Sequence, residues 1–493
     1  MFLLSLPPSF PKTLLLSGIL TITSGFDYSD DTYKKVFGKI NEEVNQNSRV
    51  YETLEESTSL IGHRLTGSEN GKKAEEHAFD LFKKYGFKDV KYQAFEVESW
   101  ARDTVSLSIA PRNSDNFKEV PVVALAHSPV EAEIAGLIVD VGNGLEEDFE
   151  KYKEQIEGKV VLANIGLVNA PGKRNLHRSE KTALAIRYGA KAIIMVNQAP
   201  GKTLMTGTAS VTGGLISIPA VCISQDSGYH LRLWIDDEGP LEAQIEMTNF
   251  SKPIKSRNVI ATLKGKTDEK IVIGGHLDSW DLATGAIDNG IGSYAIIDIA
   301  RTFNALKIKP HKTIEFVMFM GEEQGLLGSK HYVTNAVASG DIKNIGYMLN
   351  IDMTNNPKGI NAFGRKEMEP FFKEIGKSIK EVVPSYPNEF ASQAGLHSDH
   401  QPFMIEGVPV TVMMGQLDKA ALNCYHADCD NMKFINKPQL ENTVRIGAMY
   451  LYALANHPNL NSTHLTPEQT REYLISQGLK NELILGNSWK WDK

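Results

Sequence analysis

Four short apolar runs in the second half of the chain constrain its fold more than any other feature. They are Ile271–Ile273, Ile314–Met320, Ile345–Ile351 and Val408–Met414, built mainly from branched, aromatic and methionine side chains. Runs this short and this continuously apolar suit strands buried on both faces of a sheet. Helical patterns separate and follow them. Ile291, Tyr294, Ile297 and Ala300 share one face of a helix from Asn289 to about Leu306, and Lys437 to Asn456 reads as a covering helix. Strand alternating with helix predicts an α/β protein: a mixed, largely parallel central sheet flanked by helices.

Each run ends in residues that carry chemistry. Ile271–Ile273 leads through Gly274-Gly275, read as a turn, to His276, Asp278 and then Asp288; Ile314–Met320 ends in Glu322 and Glu323. Ile345–Ile351 ends in Asp352, and Tyr425-His426 lies beyond Val408–Met414. In open α/β sheets, ligands bind in the crevice outside the carboxyl ends of the strands. Taken singly, such a carboxylate is a helix cap and such a histidine a satisfied polar residue. Six of them sit together on one edge, His276, Asp288, Glu322, Glu323, Asp352 and His426, and burying that many carboxylates without a cation would cost several kcal/mol. Imidazole and carboxylate are both zinc ligands, and a pair of divalent ions removes the conflict. Glu322 and Glu323, being adjacent, point different ways. One can bind metal while the other faces substrate as a general base.

The remaining sequence sets limits. A chain of 493 residues predicts two or three domains. A net charge of −8 offers no basic footprint for nucleic acid or for an anionic membrane. Residues 1–25 carry a short apolar stretch ending in small residues and read as a signal peptide, with no membrane attachment after its removal. That route makes the sequons at Asn249 and Asn461 usable for glycosylation. Residues 26–118 open a catalytic domain, and Ser68 is placed to cap a helix carrying Ala74, Ala78, Leu81 and Phe82. Val90–Ala94 and Val105–Ile109 read as two strands. Recurring apolar runs over 119–250 predict an inserted domain, with Ser251–Ser256 as the linker back to the catalytic part, 251–460, and a helical tail over 461–493. Thr212-Gly213-Gly214 reads as a turn. Gly290-Ile-Gly292-Ser-Tyr-Ala295 imitates a dinucleotide fingerprint, but no strand ends at its first glycine. Three cysteines allow at most one bridge; Cys424 and Cys429 are the nearby pair, and Cys429 could equally be a buried thiol.

The segments GGHLDSWDLATGAIDNG, GEEQGLLGSKHYV, LNIDM, SDHQPF and YHADCD resemble the co-catalytic zinc exopeptidases of the aminopeptidase and glutamate-carboxypeptidase type. The likeness runs from Asp30 to about Pro458, and 119–250 is similar to that family's protease-associated domain. It implies two zinc ions, one on His276 and Asp352, the other on Glu323 and His426, with Asp288 bridging. It further implies Glu322 as base to a zinc-activated water, Asp278 as the acceptor that fixes the His276 ring, Tyr425 as donor to the oxyanion, and a cis peptide bond between Asp288 and Asn289. Ser398-Asp399-His400 matches a segment near the family's substrate pocket, or is simply a loop before a strand. The implied activity is hydrolysis of small peptides, dipeptides with free termini, by a carboxypeptidase or dipeptidase that is secreted or lysosomal. An aminopeptidase, a one-zinc glutaminyl-cyclase-like transferase and a non-catalytic ectodomain are the alternatives. Arg64, Arg365 and Lys366 are the candidate cations for a substrate carboxylate, and the chain could act alone or as a homodimer.

Overall fold

A computed structural model describes residues 30–458, 460 and 462–492; the expected signal peptide and the Asn461 sequon lie outside them. The four apolar runs do form one sheet. Thr267–His276 lies between Lys312–Phe319 and Ile345–Asn350, and Val410–Met414 adds to the latter, all mutually parallel. Register pairs Phe319 with His276, and Asn350 with both Gly274 and Val412, so the strands end on one edge. Side chains alternate between two cores. Ile271, Ile273, Phe316 and Leu349 face the helices Ile291–Ala305 and Lys437–Asn456, while Val272, Val317 and Met348 face Leu327–Ser339 and His400–Ile405.

Three expectations about strands change. Gly274 and Gly275 make no turn; they are strand residues, and the strand runs on to His276. They are glycines because neighbours come close: a Cβ would lie 2.5 Å from the Phe319 ring at Gly274 and 2.3 Å from the Ile351 carbonyl at Gly275. The two expected strands at 90–94 and 105–109 are one, Asp89–Pro111, paired antiparallel along its length with Leu241–Leu263 and irregular only between Arg102 and Thr104. Ser251–Ser256 is therefore no linker but the middle of a strand. Pro253 is tolerated because Leu241–Leu263 has a second partner only at its ends, Glu131–Asp140 along Glu242–Thr248 and Lys312–Phe319 along Val259–Leu263. Its missing N–H thus falls on an open edge.

Past this ribbon the parallel strands Glu131–Asp140, Val160–Asn164, Ala192–Val196 and Ala220–Ile223 continue the hydrogen-bonded order and carry a separate core that includes Phe149, Leu184, Ile193 and Met195. Ser68 caps Glu69–Lys84 as expected, its hydroxyl accepting from Gly71 N–H at 2.9 Å. The segment after Asp30 forms two helices, Asp30–Asn47 and Val50–Leu60, and at the break between them the Ser48 hydroxyl and Arg49 N–H both bond the Asp298 carboxylate. Asn249 is covered: it is 3% exposed and its amide donates to the Pro129 carbonyl at 2.7 Å, so the fold does not present this sequon for glycosylation. Among the described residues no helix is long and apolar enough to cross a membrane.

Candidate active site

His276 ends the central strand, and its ring is fixed by a carbonyl. Nδ1 lies 3.1 Å from the Asp278 backbone oxygen, which can only accept, so Nδ1 carries hydrogen and Nε2 is the atom turned to the neighbouring carboxylates. The Asp278 carboxylate was the expected partner, but it stands 3.6 Å away. It instead accepts from the Thr66 hydroxyl at 3.0 Å and from Glu322 N–H at 3.3 Å, tying the end of one strand to the loop after the next.

Asp288 sits in the tight turn Ala286–Gly290, and its bond to Asn289 is cis, as the resemblance implied. The turn is braced from two sides. The Asp430 carboxylate accepts from Ile287 N–H at 2.6 Å and Asp288 N–H at 3.0 Å, while the Asn289 side chain bonds the Ile351 carbonyl and Met353 N–H. His426 adopts a left-handed backbone conformation in a loop closed by the Cys424–Cys429 disulfide, which resolves the pairing left open by the sequence. Its Nδ1 faces the Thr206 carbonyl at 3.3 Å, so the segment 119–250 holds this ring.

These elements bring the expected residues together. The two oxygens of Asp288 face different imidazoles, His276 Nε2 at 3.2 Å and His426 Nε2 at 3.1 Å. Asp352 stands 3.3 Å from His276 Nε2, its other oxygen accepting from the Ser398 hydroxyl at 2.7 Å. Glu323 stands 3.0 Å from His426 Nε2, and its second oxygen is buried with no partner. Burial alone would push both histidines down, yet Glu322 and Asp352 raise His276 well above its ordinary value, and Glu323 raises His426. Burial raises Glu322 and Glu323. Three carboxylates turned toward the Nε2 atoms of two imidazoles, with one carboxylate oxygen left unpartnered, make a donor set that fits divalent cations.

A cavity of about 100 Å³ opens beside this cluster. Glu322, Glu323 and Tyr425 line one side; Arg178, Thr208 and Ser210 come from the segment 119–250. Tyr425 stacks on His426 with ring centroids 3.8 Å apart, and burial raises its hydroxyl, keeping it a donor. Thr212-Gly213-Gly214 is a turn as read, packed so that a Cβ on Gly213 would meet the Gln324 carbonyl at 2.7 Å. The candidate cations lie elsewhere. Arg64 is wholly buried on the carbonyls of Leu277, Thr284 and Gly285, Arg365 pairs with Glu367, and Lys366 is exposed. Ser398 supports Asp352, the Asp399 carboxyl is pushed up to about 7 by burial, and His400 Nε2 bonds the Gly395 carbonyl. Sequence reasoning passed over Asp430, Asn289, Thr206 and Arg178. The first two stand inside quoted motifs; the last two have no local signal.

Residues 258–451 match the model of peptidase family M28, and residues 119–231 that of the PA domain. Probable leucine aminopeptidase 2 of Arthroderma benhamiae is 27% identical over 429 residues, covering 80% of each chain. Carboxypeptidase Q of Bos taurus is 24% identical over 419 residues, covering 83% of this chain and 86% of its own. Among solved structures, a peptidase M28 precursor from Shewanella amazonensis SB2B superposes with a TM-score of 0.74 at 25% identity, covering 89% of this chain and all of its own.

Proposed function

We propose that this chain, whose residues 258–451 match the model of peptidase family M28 and whose residues 119–231 match that of the PA domain, is a two-zinc exopeptidase of the carboxypeptidase Q kind, hydrolysing small peptides and above all dipeptides with free termini. The observation that carries this reading is Asp288, whose two oxygens face two different imidazoles at 3.2 and 3.1 Å. His276 and Asp352 would hold one zinc, Glu323 and His426 the other, with Asp288 shared. Zinc held there would supply electrostatic stabilisation of a developing oxyanion and would lower the pKa of a water.

The protein's own groups do the rest. Glu322 would take the proton from the attacking water and return it to the leaving amine, a task suited to a carboxyl whose proton affinity burial raises above the ordinary range. Asp278 positions it by accepting the Glu322 N–H. Tyr425, held by stacking on His426, donates to the oxygen that becomes negative. The small cavity, walled by the 119–250 segment, supports short substrates over folded ones. The Cys424–Cys429 bridge supports an oxidising route, and hence a secreted or lysosomal enzyme.

Leucine aminopeptidases stand at a similar identity to carboxypeptidase Q, so an aminopeptidase is the competing reading. A dipeptide panel blocked at either end, assayed with zinc measured on the same sample, decides between them. The proposal expects cleavage of the unblocked dipeptide and loss on blocking the carboxyl end. Turnover insensitive to that block assigns an aminopeptidase, and a single zinc with no peptide cleavage favours the transferase.

A further inference from the structure

The segment 462–492 lies outside the two matched regions, 119–231 and 258–451, yet it reaches the catalytic cavity. Glu482, Leu483, Gly486 and Ser488 line that cavity together with Glu322 and Glu323. The local sequence explains how the chain gets there. Thr466 caps the helix Pro467–Ser476 in a capping box with Gln469, and Pro467 starts it. Gly478, in a left-handed conformation, then turns the chain into the short helix Lys480–Leu485.

This short stretch is pinned on two sides. Leu474, Leu479 and Leu483 are buried in the core of the catalytic sheet with Val317, Met348 and Phe403. Leu485, two residues on, is buried instead in the core of the segment 119–250, with Phe149 and Leu184. Ion pairs repeat the pattern: Glu482 pairs with Arg174 of 119–250, and Lys490 with Glu406 of the catalytic part at 2.7 Å. Between these anchors the chain folds back on the Leu483 carbonyl, which accepts from Ser488 N–H at 2.7 Å and Trp489 N–H at 3.0 Å. Apolar burial on both sides makes this a fixed wall and not a mobile lid. The cavity it bounds holds about 100 Å³, small against the roughly 300–1,000 Å³ of pockets that take drug-sized ligands.

We propose that residues 479–488 are a length-selecting wall: they close the cavity beside Glu322 and Tyr425, so that two-residue peptides enter and longer ones are excluded. The assignment rests on the hydrolytic reading above. The Glu482–Arg174 pair is where the wall meets the segment 119–250 through side chains alone. Shortening that pair opens the wall and leaves the anchors Leu479, Leu483 and Leu485 in place.

The test uses the full zinc-loaded chain with dialanine, trialanine and tetra-alanine, whose identical side chains leave length as the only difference. The parent should favour dialanine. Combining Glu482→Ala with Arg174→Ala should raise the ratio of kcat/KM for trialanine over dialanine on the order of tenfold. Parent turnover of tetra-alanine equal to that of dialanine, or an unchanged ratio in the double variant, would overturn the proposal. Calorimetric binding of dialanine and trialanine to Glu322→Gln, with and without the double change, reads the wall independently of turnover. Trialanine binding gained in the opened chain upholds the wall even if the parent hydrolyses nothing and the hydrolytic reading falls. Equal binding in the two chains refutes it. Should the opened variant not fold, Ser488→Phe decides. Bulk added to the same wall should raise KM for dialanine about tenfold with kcat little changed, and an unchanged KM would overturn the proposal.

Discussion

At the scale of residues, Asp288 and Glu322 carry opposite burdens. Burial opposes the charge on Asp288, yet the two imidazoles hold its carboxyl well below the usual range. A neutral amide in its place keeps the shape and would lose half of the proposed shared ligation. Asp288→Asn should therefore lower metal occupancy at both positions, read by elemental analysis of the purified variant. Full occupancy would place the bridge elsewhere. Glu322 is raised by burial and faces the cavity without contacting either imidazole in the bridging set. Glu322→Gln should keep fold and metal while turnover falls about 10²–10⁴-fold, the usual contribution of a general base. A rate within a few-fold of the parent would remove that role.

At the scale of elements, the glycine pair in the central strand shows what a sequence hides. Gly274-Gly275 carries the signature of a turn, but the tertiary neighbours Phe319 and Ile351 are what require it, and no local pattern records them. Gly275→Ala would press a Cβ on the Ile351 carbonyl and disturb the strand end that aims His276. We expect a loss of about 1–3 kcal/mol in urea unfolding together with weaker metal binding; an unchanged midpoint would contradict the close approach. The same blindness split Asp89–Pro111 into two expected strands and turned a Pro-containing strand into a linker, since pairing to a distant ribbon overrides local composition. The candidate site residues were legible because His276, Asp352 and the Glu322-Glu323 pair each follow an apolar run that reads as a buried strand. Arg178 was not legible. It begins an ordinary polar helix far from the cluster, and only folding brings it to Tyr425.

At the scale of the whole molecule, the 119–250 segment and the catalytic sheet are interlocked. Arg102 bonds Asp281 beside the site and also the Ala124 carbonyl and the Thr206 hydroxyl, and Thr206 in turn faces His426. His127 and His400 are buried, and burial pushes each down to about 4. The folded value lies below the unfolded one near 6.5, so protons bind the unfolded chain first as pH falls. Their stabilisation is complete above about pH 6.5 and is lost on the way down to about 4, on the order of 3 kcal/mol for each. Urea midpoints measured across that window should fall, and His127→Gln should flatten the acid limb; a midpoint constant to pH 4 would contradict these assignments. Zinc titration of the chelated full chain, with bound metal and dipeptide hydrolysis read on the same sample, tests the proposed two-metal hydrolytic centre. Two equivalents should bind per chain, with activity abolished by chelation and recovered as both sites fill. Saturation at one equivalent, or hydrolysis that survives complete removal of metal, would contradict it.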